Sequence, residues 1–354
     1  DVLDLASLDS EDFPLRIDWG WGNDLVGARW VHPHRRGGAL TVSASFTRFR
    51  SGLRFPDFGD TDLRSDIDEA TVEVAADLLP TPGLRLTAGA RTDHYAYDNL
   101  AQSGGTVFSR GRGSGWQLST FGQAEWRVAS RWLVEAGLRV DGWRPGSGPA
   151  LTVLSPRLAV KRFLGGSHWA IKAAGGRYAQ FVHSLRDEEL PLGLDTWVLA
   201  GERAPHLVSD QLQLGVEGYP GEAWEVSLEA FARDFDGVAA FSTADDPNDP
   251  TDDVLAGDGR SWGADLFVRR LTGEVTGSLA LSWLRAERTF PDILSPLEPR
   301  PEVSYPPVFD RRIDLDLVLR FPLPRGWMGG LRWNLGTGLP YTRPVGSYAH
   351  YQPR

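Results

Sequence analysis

The 354-residue sequence contains no cysteine, which excludes a disulfide framework, a thiolate metal site and a cysteine nucleophile. Long hydrophobic runs are missing too. Nowhere does the chain approach the roughly 18 consecutive apolar residues that a membrane helix needs. Basic charge is scarce: 37 Lys and Arg stand against 47 Asp and Glu, a net charge of -10. Nucleic-acid affinity depends on concentrated positive charge, so no nucleic-acid partner is expected. The first ten residues, DVLDLASLDS, have neither the basic start nor the apolar run of a signal peptide, and read as the interior of a longer chain.

What remains favours strands. Fourteen tryptophans and 40 glycines accompany one methionine, a balance that suits strands and tight turns better than packed helices. The stretch WEVSLEAFARDFDGV puts Trp224, Val226, Leu228, Ala230 and Ala232 on one side of an extended chain, and Glu225, Ser227 and Glu229 on the other. Its upstream neighbour VSDQLQLGVEGY alternates in the same way, and the intervening PGEA makes the two a hairpin. The unit recurs along the chain as fourteen expected strands in seven hairpins, with no convincing helical period.

The connections carry more information than the strands. Within hairpins they are short, near residues 32 to 38, 80 to 83, 129 to 131, 164 to 167, 220 to 223, 272 to 273 and 322 to 326. Between hairpins they are long, near 51 to 63, 96 to 114, 142 to 152, 180 to 206, 237 to 259 and 289 to 309. In an antiparallel meander this alternation puts every short turn at one end and every long loop at the other. A soluble sandwich has no reason to sort its loops so. A transmembrane barrel with short periplasmic turns and long extracellular loops does. The expected fold is therefore all-β, an antiparallel up-and-down transmembrane β-barrel, with the apolar faces toward lipid and the polar faces toward a wet lumen.

Aromatic residues flank the short turns: Trp126 with Trp132, Phe163 with Trp169, Tyr219 with Trp224, and Phe321 with Trp327. Rings with one apolar and one wet end gather at a membrane interface, so these pairs are expected to form a periplasmic girdle.

Several segments also resemble a known family. SPRLAVKRF with a glycine turn and a strand ending GGRYAQF, then SDQLQLGVEGY with WEVSLEAFARDFDGV, then GRSWGADLFVRR, and finally FDRRIDLDLVLRF leading to WNLGTGLPYTRP, together resemble the C-terminal barrel of TonB-dependent outer-membrane receptors over roughly residues 110 to 345. The resemblance implies a 22-strand barrel, an N-terminal plug domain, and uptake driven by a TonB protein acting on the plug. No plug or TonB box precedes Asp1, and the final strands are missing, so residues 1–354 are read as part of one barrel domain.

Chemistry of other kinds is thin. No cofactor or catalytic set is expected, and the seven histidines show no ligand pairing. His32 and His34 sit two apart in a turn. The acidic segment 242 to 259, with Asp245 and Asp249, departs from the spacing of a calcium loop, and a solvated extracellular loop is the simpler reading. The longest loop, 180 to 206, contains Arg186, Asp187, Trp197 and Arg203, which suit contact with a small ligand above the lumen or an ordinary surface. Arg311 and Arg312 are candidates for lipopolysaccharide phosphates, loop carboxylates or a plain interface position. Three classes stay open: an energy-coupled import receptor for a scarce ligand such as a siderophore, cobalamin or oligosaccharide, a passive porin, and an outer-membrane barrel enzyme.

Overall fold

The structure is a computed structural model and describes residues 16–34, 37–57, 59–165, 168–186, 194–242, 253–292 and 300–341. Fourteen strands follow one another as antiparallel neighbours in a single meander: β1 (Asp18–Pro33), β2 (Gly38–Phe55), β3 (Thr61–Thr81), β4 (Leu84–Ser103), β5 (Thr106–Val128), β6 (Trp132–Pro145), β7 (Leu151–Leu164), β8 (Trp169–Gln180), β11 (Leu207–Gly218), β12 (Trp224–Phe241), β13 (Val254–Arg270), β14 (Thr276–Pro291), β16 (Ile313–Pro322) and β17 (Met328–Gly336). Three short strands lie off this path. β9 (Val182–Leu185) and β10 (Thr196–Leu199) pair with each other, and β15 (Glu302–Tyr305) extends the far end of β14.

Each short expected turn closes a hairpin in the meander, so the one-ended loop order holds. Two-residue periodicity then divides every strand between two faces. On one face stand Leu118, Leu154, Leu158, Leu212 and Leu214, each more than half exposed, with Leu138 and Leu228 close behind. Among the described residues no protein layer covers them, which is the arrangement of an outer-membrane wall whose apolar side is solvated by lipid. The other face holds Glu225, Ser227 and Glu229, as the alternation requires.

Several strands outrun the bilayer. β5 has 23 residues, β3 has 21 and β4 has 20, against the roughly 9–11 that cross a membrane. Consequently much of what reads as loop in the sequence is strand. The expected loop 96 to 114 is a hairpin that turns at Gly104 and Gly105, with φ of 56° and 79°, the left-handed region that glycine enters without penalty. Its residues lose the apolar alternation because, above the hydrocarbon, neither face meets lipid. The outward face there carries ion pairs instead: Arg50 with Asp24, Arg48 with Asp68 at 2.6 Å, Arg112 with Asp98 at 2.8 Å, Arg177 with Asp210 at 2.7 Å and Arg260 with Asp234 at 3.0 Å. On β5 the apolar band runs from Trp126 near the turn to Trp116, ten residues up the same face, and the charges begin beyond it at Arg112.

Lumenal wall and its inward-folded loop

The polar face is organised in rows along the hydrogen-bonding direction. Lys161 of β7 pairs in register with Lys172 of β8, and the next strands supply carboxylates: Lys161 holds Glu217, while Lys172 holds both Glu229 and, at 3.2 Å, Glu217. Arg269 of β13 holds Glu225 of β12. Charges at these positions are only about two-thirds withdrawn from solvent, so pairing orders them without requiring a dry interior.

Two deeper clusters share one sequence signature. Gly89, Arg91, Asp93 and Tyr95 on β4 repeat as Gly137, Arg139, Asp141 and Trp143 on β6, a pattern G-x-R-x-D-x-aromatic in which all four named positions face inward. The Arg91 guanidinium donates to both oxygens of Asp93 at 2.8 and 2.9 Å, and the Thr71 hydroxyl of β3 donates to the same carboxylate at 2.7 Å. Asp141 accepts from Arg139 at 2.8 Å, from Ser119 at 2.6 Å and from Gln117 at 2.9 Å. Both aspartates are almost fully buried, which their multiple donors permit. The alternation of the strands conceals this repeat, and only comparing β4 with β6 position by position would have found it.

The longest loop departs from expectation. Instead of standing above the barrel, the described parts of 181–206 fold against the inner wall near the loop end. The β9–β10 hairpin brings Phe181 flat onto Trp143, with centroids 5.2 Å apart and planes at 4°. Trp143 donates its indole N–H to the Ala200 carbonyl at 2.8 Å. Leu199, Ala200 and Val153 complete the buried cluster, with Tyr95 and Tyr97 packed beside it. Burying rings of this size contributes on the order of 4–6 kcal/mol each, against the entropy of ordering the loop. Trp197 is pinned from both sides: its amide donates to Ser65 Oγ at 3.1 Å and its carbonyl accepts from Asn99 Nδ2 at 2.8 Å. Gly237 sits where a Cβ would come within 2.0 Å of the His206 carbonyl, so glycine is required where the returning loop meets β12.

The residues singled out as ligand contacts therefore separate. Trp197 faces the wall, edge-on to Phe49 at 5.9 Å. Arg186 closes the loop's neck on Asp195 at 2.8 Å. Arg203 lines a recess of about 370 Å³ with Tyr97, Leu199 and Glu202 at the lumen mouth. Asp187, Asp245 and Asp249 lie outside the described residues. Of the interface aromatics, Trp126, Trp132, Trp169 and Trp224 are on the outward face next to their turns, and Tyr219 and Trp327 are exposed within turns. Phe163 is the exception: it shares the inward face with Lys161, whose ammonium lies 5.3 Å from its ring, because it is one residue out of phase with Arg162 and Trp132 outside. Arg312 pairs with the buried Asp310 at 3.0 Å and Arg311 with Asp314 at 2.9 Å, both carboxylates of the chain itself. Among the described residues, no group of three or more His, Asp or Glu is placed to hold a metal.

Residues 4–352 match the family described as TonB dependent receptor-like, beta-barrel. The chain belongs to this family. Its members are outer-membrane β-barrels, which agrees with the uncovered apolar face and the polar inner wall. Among solved structures the chain is similar to the copper transporter OprC, with a TM-score of 0.64 and 15% identity over 90% of this chain and 52% of that one. The FrpB iron transporter from Neisseria meningitidis gives 0.61 and 11%, covering 90% and 50%. The pyoverdine receptor FpvA from Pseudomonas aeruginosa PAO1 gives 0.63 and 12%, covering 91% and 54%. At these identities the likeness concerns the fold, and the chain spans about half the length of each of these receptors. No curated protein matches the sequence.

Proposed function

We propose that this chain forms barrel wall in an energy-coupled outer-membrane importer, with a plug and a TonB protein supplied by parts beyond it. The observation that supports this most directly is the family match across residues 4–352 on a wall whose lumenal face is lined with ion pairs. The ligand is a scarce solute. Transporters and receptors named for copper, iron and pyoverdine share the fold, so a metal or metal chelate is the first class to test, ahead of cobalamin or an oligosaccharide. In this reading the inward-folded 181–206 segment narrows the lumen mouth and presents Arg203, while the outward ion-pair belt meets lipopolysaccharide head groups and the turn-end tryptophans mark the periplasmic interface.

The test is growth on, and uptake of, metal chelates in cells with and without the proton gradient. Uptake that stops when the gradient is collapsed supports the importer. Uptake that continues unchanged would favour the second reading, a passive porin, which shares the strands and loops but needs no energy.

A further inference from the structure

One level above the paired lysines, toward the loop end, the lumenal wall changes character. In register across five strands run Gly137, Arg157, Gly176, Gln211 and Arg233, and in the adjoining row Glu135, Ala159, Ala174, Gln213 and Phe231. The glycines and alanines leave a recess of about 190 Å³ in the wall. The lumenal cations around it, Arg91, Arg139, Lys161, Lys172 and Arg269, each hold a carboxylate. Arg157 and Arg233 have no ion pair among the described residues. Each is instead set over an aromatic ring: Arg157 lies 4.2 Å from the centroid of Tyr178, and Arg233 4.7 Å from that of Phe231.

Stacking occupies the face of a guanidinium and leaves its in-plane N–H donors free, the geometry that binds an oxyanion with two parallel hydrogen bonds. The two arginines are three strands apart, about 14 Å between Cα atoms at ordinary strand spacing. Gln211 and Gln213 lie between them, with the two rings alongside. Glu135 borders the recess three strands from Gln213 and is held by the Gln123 amide at 2.9 Å.

We propose that Arg157, Tyr178, Gln211, Gln213, Phe231 and Arg233 form a lumenal subsite for a solute bearing two separated oxyanion groups on a planar or apolar body. The subsite uses the lumenal orientation of this face, and so rests on the barrel reading above, but it binds at equilibrium and needs no energy source.

The probe is biphenyl-4,4′-dicarboxylate, compared with biphenyl-4-carboxylate, in calorimetric titrations of the protein in outer-membrane extracts purified in detergent. The dianion is expected to bind, the monoanion more weakly, and Arg157→Gln or Arg233→Gln to weaken the dianion by about tenfold each. An Arg85→Gln variant, near the turn end, should bind as the wild type does. Absence of dianion binding to the wild type, or wild-type affinity in both recess variants, overturns the proposal. Should a variant fail to give the heat-resistant folded band, phenylglyoxal modification of the wild type replaces it. The dianion should slow modification of Arg157 and Arg233. If both are protected before any dianion is added, a carboxylate of the protein already occupies the subsite and the solute proposal falls. Failure of the importer reading shows separately, as uptake that ignores the proton gradient while the dianion still binds.

Discussion

Leu228 stands on the outward face of β12, four residues from Trp224 at the turn end, flanked in register by Val216 and Leu266 and almost half exposed. A charged side chain there must be dehydrated or drag water into the hydrocarbon. Leu228→Arg should therefore lower the stability of the folded barrel by about 2–4 kcal/mol, read from urea-dependent unfolding in vesicles. Wild-type stability in this variant would mean that the faces are reversed. Asp93, on the opposite face, is governed by a different rule. It satisfies Arg91 and Thr71 at once from an almost fully buried position. Asp93→Ala leaves the arginine without its partner and should cost about 2–3 kcal/mol in the same assay, the lower end for a buried pair because Arg91 is one-third exposed. Asp68→Ala, in an exposed outward pair, should cost under about 1 kcal/mol.

At the scale of elements, residues 181–186 and 194–206 behave as a small core hung on the wall. Trp143→Ala removes the surface against which Phe181 packs and should expose the segment to protease while the barrel keeps its heat-resistant band. The segment is also expected to respond to pH. His183 is buried in it, and its ring N–H donates to the Pro205 carbonyl at 2.7 Å. Burial holds its pKa below the usual 6.5, an effect that the nearby His206 reinforces and the Pro205 hydrogen bond opposes. A histidine held neutral contributes stability above its unfolded pKa and loses it as pH falls through about 6.5 toward the lowered folded value. Protection factors for hydrogen exchange in 181–186 and 194–206, each taken against the intrinsic rate at its pH, should thus fall between pH 7.5 and 5.5, and His183→Gln should flatten the response. Identical protection factors at both pH values in the wild type would remove His183 as the cause.

For the molecule as a whole, the sorted connections set the orientation in the membrane. Because the chain has no cysteine, single introduced thiols report it without background. A membrane-impermeant maleimide should label Ser242→Cys on intact cells, and Glu222→Cys in the β11–β12 turn only after the outer membrane is permeabilised. The opposite pattern would invert the barrel. The elongated strands also predict that shaving intact cells with protease leaves β3, β4 and β5 whole above the membrane, since their backbone groups stay paired there.

The all-β meander, its fourteen long strands, the face that meets lipid and the end that bears the long loops were determined by the sequence alone. Each follows from a local signal: period-two alternation, glycine and proline at turns, and the length of each connection. Above the hydrocarbon both faces are polar and that signal fades, so β4 and β5 read as loop although their backbones stay paired. Trp197 shows the deeper limit. Its type and its place in a long charged loop suit a ligand contact, yet the structure turns it to Ser65 and Asn99, more than 90 residues away in the chain. Phe181 on Trp143, the repeated Arg–Asp clusters and the unpaired Arg157 and Arg233 likewise depend on which strands become neighbours and in what register. That choice belongs to the hydrogen-bond ladder of the whole sheet, and no local pattern encodes it.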